Sequence, residues 1–300
     1  MRIVQSGNPT WVFDNRMDTV SFGVGEIAVT LGGENVLPLC TFDAPLASRP
    51  LVGLEVDDVA FGEGADVPIP PAADFVAIRL SRLEDAGEGQ SLDDYLAECQ
   101  RVLEACDAPL IVEGCRDAQK NILALDALAD VLVRKNALFM SVASENLETV
   151  FAEDAPTRAC KVVLDAPLDT YEVGSMRDRL DQMGIPRDAV AVNLGVSAAG
   201  YGLEYALSAM EYARLEALEQ GDARLQVPVV TPVANEVWSA KEATVPEEEF
   251  PEWGPAEQRG IQMEIATAMA CLASGSHAVI LRHPASVEAV SRIVCALVEG

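Results

Sequence analysis

The residues with chemistry to offer fall in a pattern. Glu55 and Asp57, Arg79, Glu113 and Cys115, Ser144 and Glu145, Asp165, Asn193, Thr231 and Asn235, and Arg282 and His283 all stand at or just after the end of a short apolar run. Acids, amides and arginines dominate, and obvious catalysts are scarce. There is no G-x-S-x-G elbow for a nucleophilic serine and no H-E-x-x-H for a catalytic metal. The two histidines, His277 and His283, lie at opposite ends of the last apolar run, and His283 precedes Pro284. His283 either closes a strand end or ligates a metal. Asp165 and Asn193 either grip a small heterocycle or cap helices and hold loop backbone. Cys115 is either a thiolate, with only Arg116 as a cationic neighbour, or a partly buried thiol.

The most unusual local sequence is Gly200-Tyr201-Gly202 ahead of a helical pattern. Two glycines permit the close approach of a flat ligand or a partner backbone, and the helix start offers free N–H groups. The competing reading is a tight turn around a packed tyrosine.

The apolar runs themselves predict the architecture. They are Leu51–Val56, Phe75–Leu80, Leu110–Cys115, Leu138–Val142, Lys161–Asp165, Val190–Leu194, Val227–Val233 and Ala278–Arg282, and most are continuous stretches of Val, Ile and Leu. Strands buried on both faces look like this. Helical patterns alternate with them: 91–105 opening on a Ser91…Asp94 capping box, 117–133 opening on Asp117, then 203–218, 256–273 and 286–298. Eight strand–helix units predict an α/β fold, a (β/α)8 (TIM) barrel over 49–300, whose polar strand ends meet at one mouth. A doubly wound sheet is the competitor, but no G-x-G-x-x-G or G-x-x-x-x-G-K-[ST] is present. Residues 1–48 read as a short β-rich extension punctuated by glycines. The segments 57–73 and 243–256 read as long loops.

Lys and Arg number 21 against 48 Asp and Glu, a net charge of -27, so neither nucleic acid nor an anionic membrane is an expected partner. The seven cysteines are odd in number and widely spaced, which argues against a disulfide framework and against a cluster or zinc site on this chain. With reduced thiols and no apolar signal core over Met1–Asn8, the expected location is the cytoplasm.

Gly200-Tyr201-Gly202-Leu203-Glu204-Tyr205, followed by Met210-Glu211 and Arg214, resembles the GYG-[IL]-EY…ME-x-x-R segment of the small (delta) subunit of the corrinoid iron–sulfur protein of the carbon monoxide dehydrogenase/acetyl-CoA synthase system. Trp238…Lys241-Glu242-Ala243, Trp253-Gly254…Arg259-Gly260, Glu264 and Arg282-His283-Pro284 are similar to the same family in order and spacing, as are Pro109–Val112, Gly114-Cys115 and Lys120 upstream. One departure is Asn193-Leu194, where the family carries Asp-Pro after the sixth strand.

The resemblance implies a (β/α)8 barrel paired with a large subunit in a heterodimer. The [4Fe–4S] cluster would sit on the large subunit and not on this chain. A cobamide would be shared at the interface, taking a methyl group from methyltetrahydrofolate through a separate methyltransferase and passing it to acetyl-CoA synthase in the reductive acetyl-CoA (Wood–Ljungdahl) pathway. On this reading cofactor contacts are expected at Gly200, Tyr201, Gly202, Asn193, Thr231 and His283, and the chain is a non-catalytic subunit. The alternative is a stand-alone pterin-dependent methyltransferase-like barrel enzyme, in which Asp165 and Asn193 would grip the pterin.

Overall fold

In a computed structural model of the chain, described over residues 2–6, 8–37, 49–59, 69–87 and 91–299, the eight apolar runs become eight parallel strands in the predicted order. They are β5 (Leu51–Asp57), β6 (Phe75–Arg79), β7 (Leu110–Glu113), β8 (Leu138–Val142), β9 (Lys161–Asp165), β10 (Val190–Asn193), β11 (Val230–Pro232) and β12 (Ala278–Leu281). Each pairs with its neighbour in the order β10-β9-β8-β7-β6-β5-β12-β11. Val192 then bridges Val229, with the Val192 N–H donating to the Pro228 carbonyl at 2.8 Å, so the sheet closes on itself. The fold is the (β/α)8 barrel.

Side chains alternate across the sheet, as strand geometry demands. Val52, Leu54, Val76, Ile78, Val112, Phe139, Val162, Leu164 and Val279 point outward into the layer of helices. Leu51, Phe75, Ala77, Ile111, Leu138, Met140, Val163, Ala191, Val230, Ala278 and Ile280 fill the interior. Continuing the inward parity by one or two positions brings Glu55, Asp57, Arg79, Glu113, Asp165, Asn193 and Arg282 to the C-terminal end of the barrel.

The helices start where the sequence predicts. Ser91 Oγ accepts from the Asp94 N–H at 3.1 Å, and Asp117 accepts from Gln119 and Lys120 at 2.9 and 3.1 Å. One long helix, Thr170–Gln182, has no counterpart in the sequence reading, and neither do the short helices Leu147–Val150, Val233–Ser239 and Lys241–Thr244. The long one carries few apolar positions and buries Arg177 completely. The Val227–Val233 run is also shorter than expected: its strand ends at Pro232, and Val233–Ser239 is already helical. The expected loop 243–256 contains a short turn of helix at Pro251–Trp253.

The N-terminal residues form two hairpins, β1 (Arg2–Ser6) with β2 (Asn8–Val12) and β3 (Thr19–Phe22) with β4 (Val29–Gly32). Within the expected β-rich extension, Glu26-Ile27 lies in a 3-10 turn, and residues 38–48 lie outside the described residues. The β3–β4 hairpin closes the floor of the barrel. Val20, Phe22 and Leu31 join the interior core, and Phe22 meets Phe75 edge-to-face at 5.5 Å. Below them His277 accepts the Val229 N–H at Nδ1 (2.9 Å), which leaves the proton on Nε2 to bond Glu34 at 2.7 Å. Glu34 also pairs with the buried Arg214. Burial alone would raise the Glu34 carboxyl, but His277 and Arg214 hold it well below the usual carboxylate range. His277 therefore belongs to the floor, as its place at the start of β12 implies.

Candidate functional site at the barrel mouth

The C-terminal ends of the strands enclose a cavity of about 710 Å³. Its walls include Arg79, Glu113, Cys115, Met140, Glu145, Asn146, Asp165, Asn193, Pro232, Asn235, Trp238 and Arg282. This is the end at which barrel enzymes and binding proteins build their sites.

Two arginines organise one side. Arg282 donates from Nε and Nη2 to a single Glu55 oxygen at 2.8 and 2.7 Å, and its Nη2 also reaches Asn235 Oδ1 at 2.8 Å. Arg79 donates to the same Asn235 oxygen at 3.1 Å and to Asp57 at 3.0 Å, and Ser81 holds Asp57 at 2.6 Å. These bonds cross-link β5, β6, β12 and the 233–239 helix. They leave Glu55 Oε2 and Arg79 Nε without a hydrogen bond, although Arg79 Nε stands 3.9 Å from Glu55 Oε1.

Glu113, on β7, is different. It is 4% exposed, and its Oε1 has no hydrogen-bond partner. An unmade bond at a buried acceptor costs about 1–3 kcal/mol. Burial, then the charge of Glu55, pushes the Glu113 carboxyl up to about 8, against the opposing pull of Arg79 and Arg282. With its proton retained, it can donate as well as accept. Asp165 is also raised by burial, but Asn193 Nδ2 donates to it at 2.8 Å and moderates the effect. Asn193 spends its other end on the Gly195 N–H at 2.9 Å.

Three side chains pin the loops around the cavity. Asn121 accepts the Cys115 N–H at 2.8 Å and donates to the Cys115 and Ser141 carbonyls. Asn146 accepts the Ala143 N–H at 2.9 Å while its own Nδ2 stays buried and unpaired. Glu264, fully buried, accepts from Trp238 Nε1 at 3.0 Å and from the Arg282 and His283 N–H groups at 2.7 and 3.2 Å. The indole of Trp238 lies over Gly260, where a Cβ would come within 2.6 Å of the ring.

The expected contact residues are placed as follows. Asn193 lines the cavity. His283 sits at the rim, stacked on Trp238 with ring centroids 5.9 Å apart and its Nε2 3.1 Å from Glu257. Gly200, Tyr201 and Gly202 lie on the loop after β10, with both glycines at positive φ. Tyr201 is 49% exposed and its hydroxyl donates to Glu242 at 2.7 Å, so the loop is tied to the Lys241–Thr244 helix without entering the cavity. Thr231 is not brought to the mouth. It points outward from β11, fully buried, and bonds Ser276 Oγ at 2.8 Å. Sequence reasoning missed Asn121 and Asn146, since neither stands at a strand end. Among the described residues, no group of three potential ligands could hold a metal ion, and no helix is long and apolar enough to cross a membrane.

Comparison with known proteins adds the following. A family model described as CO dehydrogenase/acetyl-CoA synthase delta subunit matches residues 71–280. The acetyl-CoA decarbonylase/synthase complex subunit delta 2 of Methanosarcina acetivorans is 31% identical over 288 residues, covering 88% of this chain and 65% of the relative. The delta subunit of the same complex from Archaeoglobus fulgidus is 28% identical, covering 90% of this chain and 64% of that one. The chain therefore spans slightly less than two thirds of the length of these relatives. Among solved structures, a Yersinia pestis dihydropteroate synthase with a pterine-sulfa conjugate superposes with a TM-score of 0.51 at 14% identity, covering 84% of this chain and 95% of that one. A dihydropteroate synthetase with product gives 0.53 at 15%, covering 84% and 96%. Identity this low speaks for the barrel fold alone.

Proposed function

The chain belongs to the CO dehydrogenase/acetyl-CoA synthase delta-subunit family, and on that premise we propose that it is the small, non-catalytic subunit of a corrinoid iron–sulfur protein, covering a cobamide at its boundary with a large subunit. The [4Fe–4S] cluster belongs to the large subunit in this reading. A methyltetrahydrofolate methyltransferase and acetyl-CoA synthase are the docking partners on either side of the methyl transfer, and the whole assembly is cytoplasmic. When bound, the cobamide supplies a cobalt centre that accepts and releases a methyl group.

One observation supports this most. The segments that carry the family pattern (200–205, 238–243, 253–264 and 282–284) are tied to one another along one side of the mouth by Tyr201–Glu242, Trp238 on Gly260, and Glu264 on Arg282 and His283. A chain that hydrolysed or transferred groups by itself would need a nucleophile or a base with a positioned partner. These segments instead build a rim, with Tyr201, the Trp238–His283 stack and Trp253 as flat surfaces.

The residues fit the group in kind. The cavity is of drug-like size, a well for a side arm rather than a slot for a whole macrocycle. Asn193, Asn146 and Glu113 line it with groups that hydrogen-bond uncharged amides. The work of this chain is then to exclude water, to hold the ring's approach by shape, and to keep Arg79 and Arg282 neutralised by Glu55 and Asp57.

Co-production with the large subunit tests the reading. A one-to-one heterodimer with corrinoid absorption, holding cobalt and iron, is expected. A chain that stays alone in the presence of the large subunit, and that methylates free cobalamin from methyltetrahydrofolate unaided, overturns it in favour of the stand-alone enzyme.

A further inference from the structure

We propose that the carboxyl of Glu113 receives an uncharged amide edge, an N–H beside a C=O, from a ligand seated in the barrel mouth. The inference deepens the reading above and rests on it. Its starting point is geometric: Glu113 is buried, borders the cavity, and has an oxygen that no protein group satisfies. The groups packed around it are accounted for elsewhere. From β5, Glu55 bonds Arg282 and Asp57 bonds Arg79 and Ser81. From β6 and β12, Arg79 and Arg282 converge on Asn235. From β9 and β10, Asp165 and Asn193 bond each other. Neither arginine donates a hydrogen bond to Glu113, so the native fold leaves this acid for something that enters.

Charge selects what enters. Glu113, Asp165, Glu84, Glu145 and Glu236 outnumber Arg79, Arg116 and Arg282 on the cavity wall, which disfavours a carboxylate or phosphate. A free cation competes with Arg79 and Arg282, already within reach of the same acids. A neutral amide suits the acid in both directions, since the carboxyl O–H donates to its C=O and the free oxygen accepts its N–H. The unpaired Asn146 Nδ2, on the same cavity, adds a second donor for a carbonyl. Two sources offer this edge: the carboxamide arms around a corrin ring, and the lactam edge of a fused heterocycle such as a reduced folate.

The test is binding, with the heterodimer freed of corrinoid and titrated with cyanocobalamin at pH 6.5 and pH 9, read by absorption. Wild type is expected to lose affinity about tenfold on going to pH 9, as the acid gives up the O–H that donates; tenfold corresponds to about 1.4 kcal/mol. Glu113→Gln, whose side chain offers N–H and C=O at every pH, is expected to bind alike at both. Glu113→Leu, similar in size, is expected to bind about tenfold more weakly at both, with circular dichroism confirming its fold. A parallel titration with methyltetrahydrofolate identifies the source: dependence on pH and on Glu113 there, and not with cyanocobalamin, assigns the edge to a heterocycle and supports the proposal. Corrinoid and folate binding that ignore both pH and Glu113→Leu overturn it while leaving the subunit reading intact. Failure of the wild-type heterodimer to hold any corrinoid overturns the subunit reading instead.

Discussion

Asn193 and Asp165 show how one atom sets the character of the mouth. The Asn193 amide donates to an Asp165 oxygen at 2.8 Å in a site where burial already raises the Asp165 carboxyl. Asn193→Asp replaces that donor with a second carboxyl at hydrogen-bond distance. The pair must then share a proton. Since the folded pKa rises above the unfolded one, the fold holds a proton the unfolded chain releases, and stability falls as pH climbs above the ordinary carboxylate range. The expected outcome in urea unfolding is an extra loss of about 1–3 kcal/mol between pH 5 and pH 8 compared with wild type. Equal pH profiles for the two proteins contradict this. Strand parity explains which site residues were legible. Asn193, Arg79, Glu113 and Arg282 share the inward parity of their strands, so a strand-end rule finds them. Thr231 fails the same rule because Val230 and Pro232 are the inward residues of β11. The free oxygen of Glu113 was not legible at all, because it depends on where Arg79, Arg282 and Glu55 spend their bonds, and those partners are up to 227 residues apart in sequence.

At the scale of elements, the mouth is steadied by the packing of the 233–239 helix on the 256–274 helix. The six-membered ring of Trp238 packs against Gly260 because no side chain stands there, and its indole N–H is then placed for Glu264. Glu264 in turn fixes the backbone of Arg282 and His283. Gly260→Ala improves helix propensity by about 1 kcal/mol but sets a methyl within 2.6 Å of the ring. Overpacking of this kind costs about 1–3 kcal/mol, so the net effect expected is loss, with a shifted tryptophan emission. A gain in melting temperature with unchanged emission speaks against the contact. The same scale shows where periodicity runs out. The helix Thr170–Gln182 keeps only Val173, Met176 and Leu180 as an apolar stripe and buries Arg177 among them. A sequence reader sees a polar segment, because the arginine's burial comes from its neighbours. The short helices Val233–Ser239 and Lys241–Thr244 are too brief for any period to show.

At the scale of the whole molecule, the closed ring has two unlike ends, and the difference comes from the N-terminal residues. The strand runs alone predicted the barrel, since most are continuous stretches of Val, Ile and Leu and helical patterns alternate with them. They did not predict a floor. The β3–β4 hairpin supplies it, because Val20, Phe22 and Leu31 alternate inward and a barrel interior left open to water at that end would expose Leu51, Phe75 and Leu138. Asn136 and Lys161 hold the hairpin by its carbonyls at Ser21 and Gly23, tying it to the 118–135 helix and to β9. With the floor filled, ligand access is left to the mouth. Phe22→Ala tests this division. The ring is fully buried and packed edge-to-face on Phe75, and such a truncation costs about 3–5 kcal/mol. If the hairpin is an integral part of the barrel core, the variant unfolds in a single transition at a lower urea midpoint, followed alike by tryptophan emission and far-ultraviolet circular dichroism. If residues 1–48 are a detachable arm, the barrel's own transition stays where it was and only a minor early change appears.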